Sequence, residues 1–254
     1  MNEKVRAYLD RIGYQGGTEP TAENPSAIQY AHLLAVPYEN LDILRKKRIS
    51  LSLDDIYEKV VVNHRGGYCF ELNKLFGWLL RELGYKVTDY VARYWRGENT
   101  TPTRRHQVLS VIIPSTEEEY LCDVGVGAVI PMYPLPIRFG EEFDQNGPVY
   151  AFRQDENHGI MLIERHDGAW RDVYSFTREV QFEPDFMFAS FWCEFAKDSV
   201  FNKQNMLSIR QEGGRRLTLD GNTFRIFSPA GVEEKELSDS EVQEVIQTVF
   251  GISI

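Results

Sequence analysis

The chain has 254 residues, of which 43% are hydrophobic and 26% charged, values that exclude general disorder and predict a folded protein with a substantial core. Its formal net charge of −10 predicts a field that repels nucleic acids and anionic lipids. No apolar run approaches the roughly 18 residues that cross a bilayer, and charges stand where a signal peptide is apolar, so we expect neither membrane insertion nor secretion.

The first 85 residues have the apolar spacing of helices. Asn24-Pro25 is predicted to be the N-cap and first-turn pair of one helix. Ser52 with Asp55 resembles the capping box of another. The strongest helix is predicted over residues 69–83, because its apolar residues fall on one face and Gly84 follows, a residue typical of a helix end.

Strand patterns follow from residue 87 onwards. The predicted strands of the middle third are 87–95, 106–113, 120–124, 160–165 and 170–176, with a hairpin turn at 166–168. A helix over 183–196, short strands at 206–210, 216–219 and 223–227, and a last helix opened by Ser238 with Glu241 complete the chain. This order of helices, then sheet, then a small mixed segment predicts an α+β fold rather than alternating βαβ units.

Cys69 stands in the first turn of the strongest predicted helix, directly after Gly66 and Gly67. The free N–H groups and the dipole at a helix start favour a thiolate, so we expect a pKa lowered from ~8.5 towards about 3.5–7.5 and a nucleophile for acyl transfer. The alternative is a small core residue, since Cys69 lies three positions before Leu72 on the buried stripe. The three cysteines match neither a disulfide framework nor a zinc site, which indicates a reducing cytoplasm.

A thiolate nucleophile needs a base and a group that orients the base. Of the five histidines, His106 opens a predicted strand, where its imidazole reaches the sheet edge. Asp123 is an acidic residue in an apolar strand and needs a partner if it is buried. The alternatives are a structural or surface histidine and a capping or turn acid. Gly125 and Gly127 permit either close approach of a ligand or a plain bulge.

Four segments carry a family resemblance: an RGGxCxELN-like stretch at 65–73, a Val-Pro-aromatic-Glu-Asn-Leu stretch at 36–41, a His-x-Val-Leu stretch at 106–109 and an Asp-Val-Gly-x-Gly stretch at 123–127. In their order and spacing these segments resemble the arylamine N-acetyltransferase family. The resemblance is strong over about residues 30–130 and weaker afterwards, where residues 198–201 are similar to the Pro-x-Ser-x-Phe region of the family without its proline.

The resemblance implies three segments around a core like that of cysteine proteases: an N-terminal helical bundle (1–85) carrying the nucleophile, a central β-barrel (86–185) carrying the base and the orienting acid, and a C-terminal α/β lid (186–254). It implies a ping-pong transfer of acetyl from acetyl-CoA to the nitrogen of an arylamine, hydrazine or related amine. Cys69 would form the thioester, His106 would be the base and Asp123 would orient it. No metal is implied.

The resemblance also implies ligand contacts. Tyr38, where family members commonly carry Phe, is expected to line the acceptor pocket with Gly125 and Gly127; the alternative for Tyr38 is a core position. The expected contacts to acetyl-CoA are Thr103, Arg104 and Ser199, with Arg105, Lys203, Arg215 and Arg216 as further candidates for its anionic tail.

Chemistry alone leaves other functions open. A Cys-His-Asp arrangement also serves cysteine proteases, transglutaminase-like enzymes and amide synthases. A non-catalytic protein that uses one reactive thiol as a redox sensor is a further alternative.

Overall fold

The N-terminal third of the protein is helical, as predicted. The computed structural model describes residues 2–95, 100–128 and 130–253. Its first helices are α1 (Glu3–Arg11), α2 (Glu23–Ala35), α3 (Leu41–Leu44), α4 (Leu53–Tyr57), which continues as one π-helical turn over Glu58–Val62, and α5 (Cys69–Glu82).

One predicted N-cap is wrong, and a second is in the predicted place but lacks the predicted capping box. Helix α2 begins at Glu23, and the Asn24 side chain instead donates to the carbonyl oxygen of Glu19 and binds the Tyr14 hydroxyl. Ser52 is the N-cap of α4, as predicted, but its side chain makes no capping hydrogen bond. The carboxylate of Asp55 instead accepts from the Ser50 hydroxyl.

Helix α5 is the central element of the N-terminal part, and its predicted extent is confirmed to within a residue. Its apolar stripe is fully buried against α1, α4, β1 (Lys86–Tyr94) and β2 (Arg104–Ile112). At its start, the Glu71 carboxylate accepts from the backbone N–H of Tyr68 at 3.1 Å and satisfies a donor that the helix leaves unpaired. At its end, Gly84 adopts φ +91°, a conformation that glycine takes without strain.

An eight-stranded antiparallel sheet follows. After β1 and β2 come β3 (Glu119–Cys122), β4 (Leu135–Pro136), β5 (Glu142–Asp144), β6 (Val149–Asp155), β7 (Gly159–His166) and β8 (Ala169–Phe176), in the order β4-β3-β2-β1-β8-β7-β6-β5. The five predicted strands are confirmed, as is the hairpin turn between β7 and β8. Strands β4, β5 and β6 were not predicted.

The sheet curls into a nearly closed barrel, as the chain length between its edges requires. The two edge strands, β4 and β5, are joined by residues 137–141 alone. That linker spans at most about 22 Å, whereas a flat sheet of eight strands is about 34 Å wide. The edges therefore have to approach each other, and residues 139 and 152 form a bridge near the seam.

The C-terminal part contains a helix, a second sheet and a last helix. These are α6 (Glu183–Phe195), β9 (Met206–Gln211), β10 (Arg215–Asp220), β11 (Thr223–Ser228), β12 (Gly231–Glu236) and α7 (Asp239–Thr248), with the antiparallel order β12-β11-β10-β9. The capping box at Ser238 and Glu241 is confirmed. Strand β12 was not predicted.

Strand β9 is bound to the N-terminal part. Tyr38 and Ser208 exchange two backbone hydrogen bonds, of 2.8 and 3.0 Å. The Asn40 side chain accepts from the N–H of Met206 and donates to the carbonyl oxygen of Phe201. One large hydrophobic core contains residues from all three parts. The α+β fold with helical bundle, barrel and α/β segment is therefore confirmed, while the division at residues 85 and 185 stays a prediction. Among the described helices, none combines the length and the apolar character that crossing a membrane requires.

Candidate active site

Cys69 is the first residue of α5, and its side chain is buried between the helix bundle and the barrel. The Sγ atom lies 3.7 Å from the carbonyl oxygen of Arg105, and the His106 side chain is near enough to act on the pKa of the thiol. Burial raises the pKa of the thiol above its ordinary value, although the hydrogen bond and charge of His106 oppose this shift. The predicted lowering of the pKa is wrong for this reason: Cys69 is only 2% exposed, and loss of water costs a thiolate more than the helix start returns.

His106 and Asp123 form a buried charged pair. Nε2 of His106 lies 2.7 Å from Oδ2 of Asp123, with the side chains 4% and 2% exposed. Burial lowers the pKa of His106, but the charge of Asp123 and its hydrogen bond outweigh burial and raise that pKa to about 10. Because Nε2 is bound to Asp123, Nδ1 is the ring nitrogen left for Cys69. Helix α5, strand β2 and the segment after β3 thus bring the three predicted residues into one line.

Asp123 is held by groups that were not predicted from the sequence. Asn73 Nδ2 and the backbone N–H of Gly125 each donate to Oδ1 at 2.8 Å. Asn73 also donates to the carbonyl oxygen of Gln107 and accepts from the N–H of Val124. One signal was available, because Asn73 follows Cys69 by one helical turn and is a polar residue on an otherwise apolar buried face.

A cavity of about 170 Å³ opens directly onto Cys69 and His106. The three predicted acceptor residues, Tyr38, Gly125 and Gly127, line it. A Cβ atom at Gly127 would lie 2.7 Å from the Tyr38 ring, and one at Gly125 would lie 2.7 Å from Cα of Cys69. An alanine at either position would therefore force neighbouring atoms to move, side-chain atoms of Tyr38 at Gly127 and the backbone of Cys69 at Gly125. Further lining residues, none of which was chosen as a site residue from the sequence, include Tyr94, Phe201, Met206, Ser208 and Thr218.

The residues predicted to contact acetyl-CoA are not brought together at this cavity. Thr103 and Arg104 are exposed, and Arg104 forms an ion pair with Glu179 at 3.2 Å. Ser199 is fully buried, and its hydroxyl donates to the carbonyl oxygen of Cys193 and accepts from the N–H of Phe201. The expectation that Ser199 meets a ligand therefore conflicts with its burial.

The further candidates for the anionic tail divide into two groups. Arg105 and Arg216 line the cavity. Lys203 and Arg215 are exposed and lie outside its lining. Across residues 2–95, 100–128 and 130–253, no group of three or more His, Cys, Asp or Glu side chains is arranged to hold a metal ion.

A buried ion-pair network lies behind the loop that carries Cys69. Arg65 Nη2 lies 2.7 Å from Glu39 Oε1 and 3.1 Å from Asp42 Oδ1. Lys59 lies 2.8 Å from Glu71, the residue that caps the start of α5. These contacts tie the segment 65–71 to the residues around Tyr38 and fix the position of the thiol.

Comparisons with known proteins agree with this geometry. A sequence profile of the N-acetyltransferase family matches residues 22–254. The arylamine N-acetyltransferase of Mycobacterium tuberculosis H37Rv is 31% identical over 255 residues, which cover 98% of this chain and 89% of the relative.

Solved structures resemble the whole fold. The arylamine N-acetyltransferase of Salmonella typhimurium superposes with a TM-score of 0.94 at 29% identity, covering 99% of this chain and 92% of the other. The Mycobacterium marinum enzyme in complex with CoA gives a TM-score of 0.91 at 31% identity, covering 98% and 92%.

Proposed function

The chain belongs to the arylamine N-acetyltransferase family, and on that basis we propose that it carries acetyl groups from acetyl-CoA to amine nitrogens as a thioester on Cys69. Membership makes the protein an acyltransferase. The observation that carries the proposed route is the line from the Cys69 thiol through His106 to Asp123, placed at the wall of a cavity. The CoA complex of the M. marinum relative supports acetyl-CoA as the donor.

The first half-reaction transfers the acetyl group from acetyl-CoA to Cys69. Asp123 favours the proton on the His106 ring, and the charge of the imidazolium offsets part of the cost that burial adds to ionising Cys69. The thiolate attacks the carbonyl carbon of acetyl-CoA, and the bond between that carbon and the CoA sulfur breaks. The departing CoA thiolate takes the proton from Nδ1 of His106, which leaves a neutral imidazole beside the acetyl thioester.

The second half-reaction transfers the acetyl group from Cys69 to the amine. The amine nitrogen attacks the thioester carbon while neutral His106 accepts a proton from that nitrogen. The amide leaves, and the thiolate and imidazolium are restored. Asp123 holds Nδ1 towards the substrate in both steps, because its hydrogen bond occupies Nε2. Arylamines are the acceptors that the names of the relatives support; we extend the proposal to hydrazines, which offer a comparable nucleophilic nitrogen. We place the reaction in the cytoplasm, since all three cysteines are free thiols.

Intact-protein mass spectrometry after incubation with acetyl-CoA tests the thioester. The wild type should gain the mass of one acetyl group, and addition of an arylamine or a hydrazine should remove it. Cys69→Ala should show no adduct, whereas Cys193→Ala, which removes another buried thiol outside the cavity lining, should be acetylated normally. The proposal fails if the wild type forms no adduct or if the adduct persists in Cys69→Ala.

A further inference from the structure

Arg216 lines the cavity, and Arg210 lies beside it on the neighbouring strand. Arg216 of β10 and Arg210 of β9 are directly opposite each other in the antiparallel register. Residues 216, 218 and 220 alternate onto one face of β10, and all three line the cavity. Like charges directly opposite each other destabilise a sheet, so the pair needs a compensating partner.

No carboxylate of the described chain supplies that partner. Within residues 2–95, 100–128 and 130–253, neither arginine forms an ion pair, and each donates one hydrogen bond to a backbone carbonyl, Arg210 to Ala128 and Arg216 to Gly127. A guanidinium has several further N–H donors. The nearby buried carboxylate of Glu164 is already bound by Arg171.

The surroundings of the two guanidinium groups restrict them. Burial and the charge of Arg216 lower the pKa of Arg210 to about 10. The Arg216 guanidinium lies 3.9 Å from the centre of the Phe227 ring, which fixes the plane of the guanidinium. The positive charge at this wall is therefore held in place.

A buried hydroxyl lies beside the arginines. Thr218 is 3% exposed, and its Oγ1 finds no hydrogen-bond partner in the described part of the chain. A buried polar group without a partner is costly, and this one belongs to the cavity lining. Asp220, at the other end of the same strand face, is paired with Arg225 at 3.4 Å.

From these contacts we propose that Arg216, supported by Arg210 and Thr218, binds a carboxylate on the acceptor, so that the enzyme favours aminobenzoates among single-ring arylamines. This inference rests on the proposed function. A guanidinium binds a carboxylate through two parallel hydrogen bonds. The cavity volume, about 170 Å³, is close to that of an engineered cavity of about 150 Å³ that takes up benzene. One ring therefore fits with its amine towards Cys69 and its carboxylate towards Arg216.

The phosphates of CoA are the other source of negative charge. Arg216 is one of several basic residues that are candidates for binding that tail. The pantetheine arm, however, contains two amide units between the thiol and the phosphates, a separation greater than the width of a cavity that holds one ring. With the reacting sulfur at Cys69, an arm of that length would carry the phosphates out of the cavity that Cys69 and Arg216 both line, which favours the acceptor as the ligand of Arg216.

The test compares para-aminobenzoate with para-aminobenzamide, a neutral amine of nearly the same shape. For each protein, the ratio of kcat/KM for the acid to kcat/KM for the amide is measured with acetyl-CoA at saturation. Hydrogen bonds to a charged group contribute about 1.5–3 kcal/mol, so Arg216→Gln should lower this ratio about 10- to 100-fold. Arg216→Lys should recover part of the loss. Arg153→Gln removes an exposed strand arginine that has carboxylate partners, and it should leave the ratio at the wild-type value.

A second measurement tests whether Arg216 acts on the acetyl donor instead of on the acceptor. The rate at which Cys69 is acetylated is followed in a single turnover with acetyl-CoA and with para-nitrophenyl acetate, which has no phosphates. The inference is overturned if Arg216→Gln slows acetylation by acetyl-CoA but not by para-nitrophenyl acetate, or if the ratio of acid to amide does not fall in a variant that unfolds at the wild-type temperature. The proposed function survives either result as long as the acetyl thioester forms and is passed to an amine.

Discussion

Nε2 of His106 and Oδ2 of Asp123 lie 2.7 Å apart, and both side chains are almost completely withdrawn from water. An imidazole held in this way has one nitrogen fixed on the carboxylate and the other directed at the thiol. The position of the proton is thereby determined by the fold, since burial alone would favour a neutral ring.

Replacing Asp123 by Asn should therefore lower kcat about 10⁴-fold, as an amide in place of the carboxylate selects the wrong tautomer in a comparable triad. Steady-state acetyl transfer to an arylamine measures the loss. The size and packing of the residue are retained, so the variant should unfold cooperatively. A decrease of less than tenfold would contradict the role of Asp123 in orienting the base.

The pKa of His106 predicts how stability depends on pH. That pKa is raised from 6.5 to about 10 in the folded protein, so its contribution to stability is complete below pH 6.5 and is lost as the pH rises through 10. Between pH 7 and 9.5, the wild type should lose on the order of 3 kcal/mol of unfolding free energy that His106→Gln does not lose. Urea titrations of both proteins at the two pH values measure the difference. Parallel pH dependence in the two proteins would show that the imidazole is not held protonated.

Asn73→Ala should reduce the unfolding free energy by about 2–4 kcal/mol, because it leaves Asp123 Oδ1, the carbonyl of Gln107 and the N–H of Val124 each short of a buried partner. Its activity should fall together with its stability. Asn63→Ala is the matched control, since Asn63 is exposed and makes one long side-chain contact to Glu58. If the two variants unfold at the same urea concentration, the network does not stabilise Asp123.

The two glycines of the cavity should respond differently to alanine. At Gly125 the new Cβ would meet the backbone of Cys69, so Gly125→Ala should fold poorly or lose acetylation of the thiol. At Gly127 it would meet the ring of Tyr38, a side chain that can rotate. Gly127→Ala should therefore fold and raise KM for the arylamine at least about tenfold, in proportion to lost contact area. Thermal unfolding and arylamine kinetics distinguish the two, and equal effects on both properties would refute the steric explanation.

Much of the fold could be predicted because the sequence pattern and the local structure agree. Helix α5 has a largely apolar buried face and a glycine after its end, and β7 and β8 meet at a turn where Asp167 and Gly168 take positive φ. The strands that were missed lack such patterns. Strand β4 has only two residues, and every side chain of β12 is exposed, so no alternation of apolar and polar residues marks it.

The sequence predicted the reactive residues of the candidate site but not the residues that support them. The roles of Cys69, His106 and Asp123 could be inferred from their residue types and from the neighbouring sequence. Other residues became visible only from contacts made in the fold. Asn73 contacts Asp123, Thr218 lines the cavity, and Arg210 lies opposite Arg216. The pKa of Cys69 shows the same limit, because the helix start is visible in the sequence but the burial that outweighs it is not.

The hydrogen bond from the N–H of Met206 to Asn40 joins residues 166 positions apart. During translation, Cys69 and His106 are made well before β9 and β10. These two strands supply another part of the wall of the cavity. Domains tend to form from the N-terminus as the chain emerges, but here the thiol of Cys69 gains its enclosure only after β9 and β10 have been made. A nascent chain stalled before residue 206 would carry Cys69, His106 and Asp123 without this part of the wall of the cavity, so the proposed acetyl transfer has to await strands that are made long after these three residues.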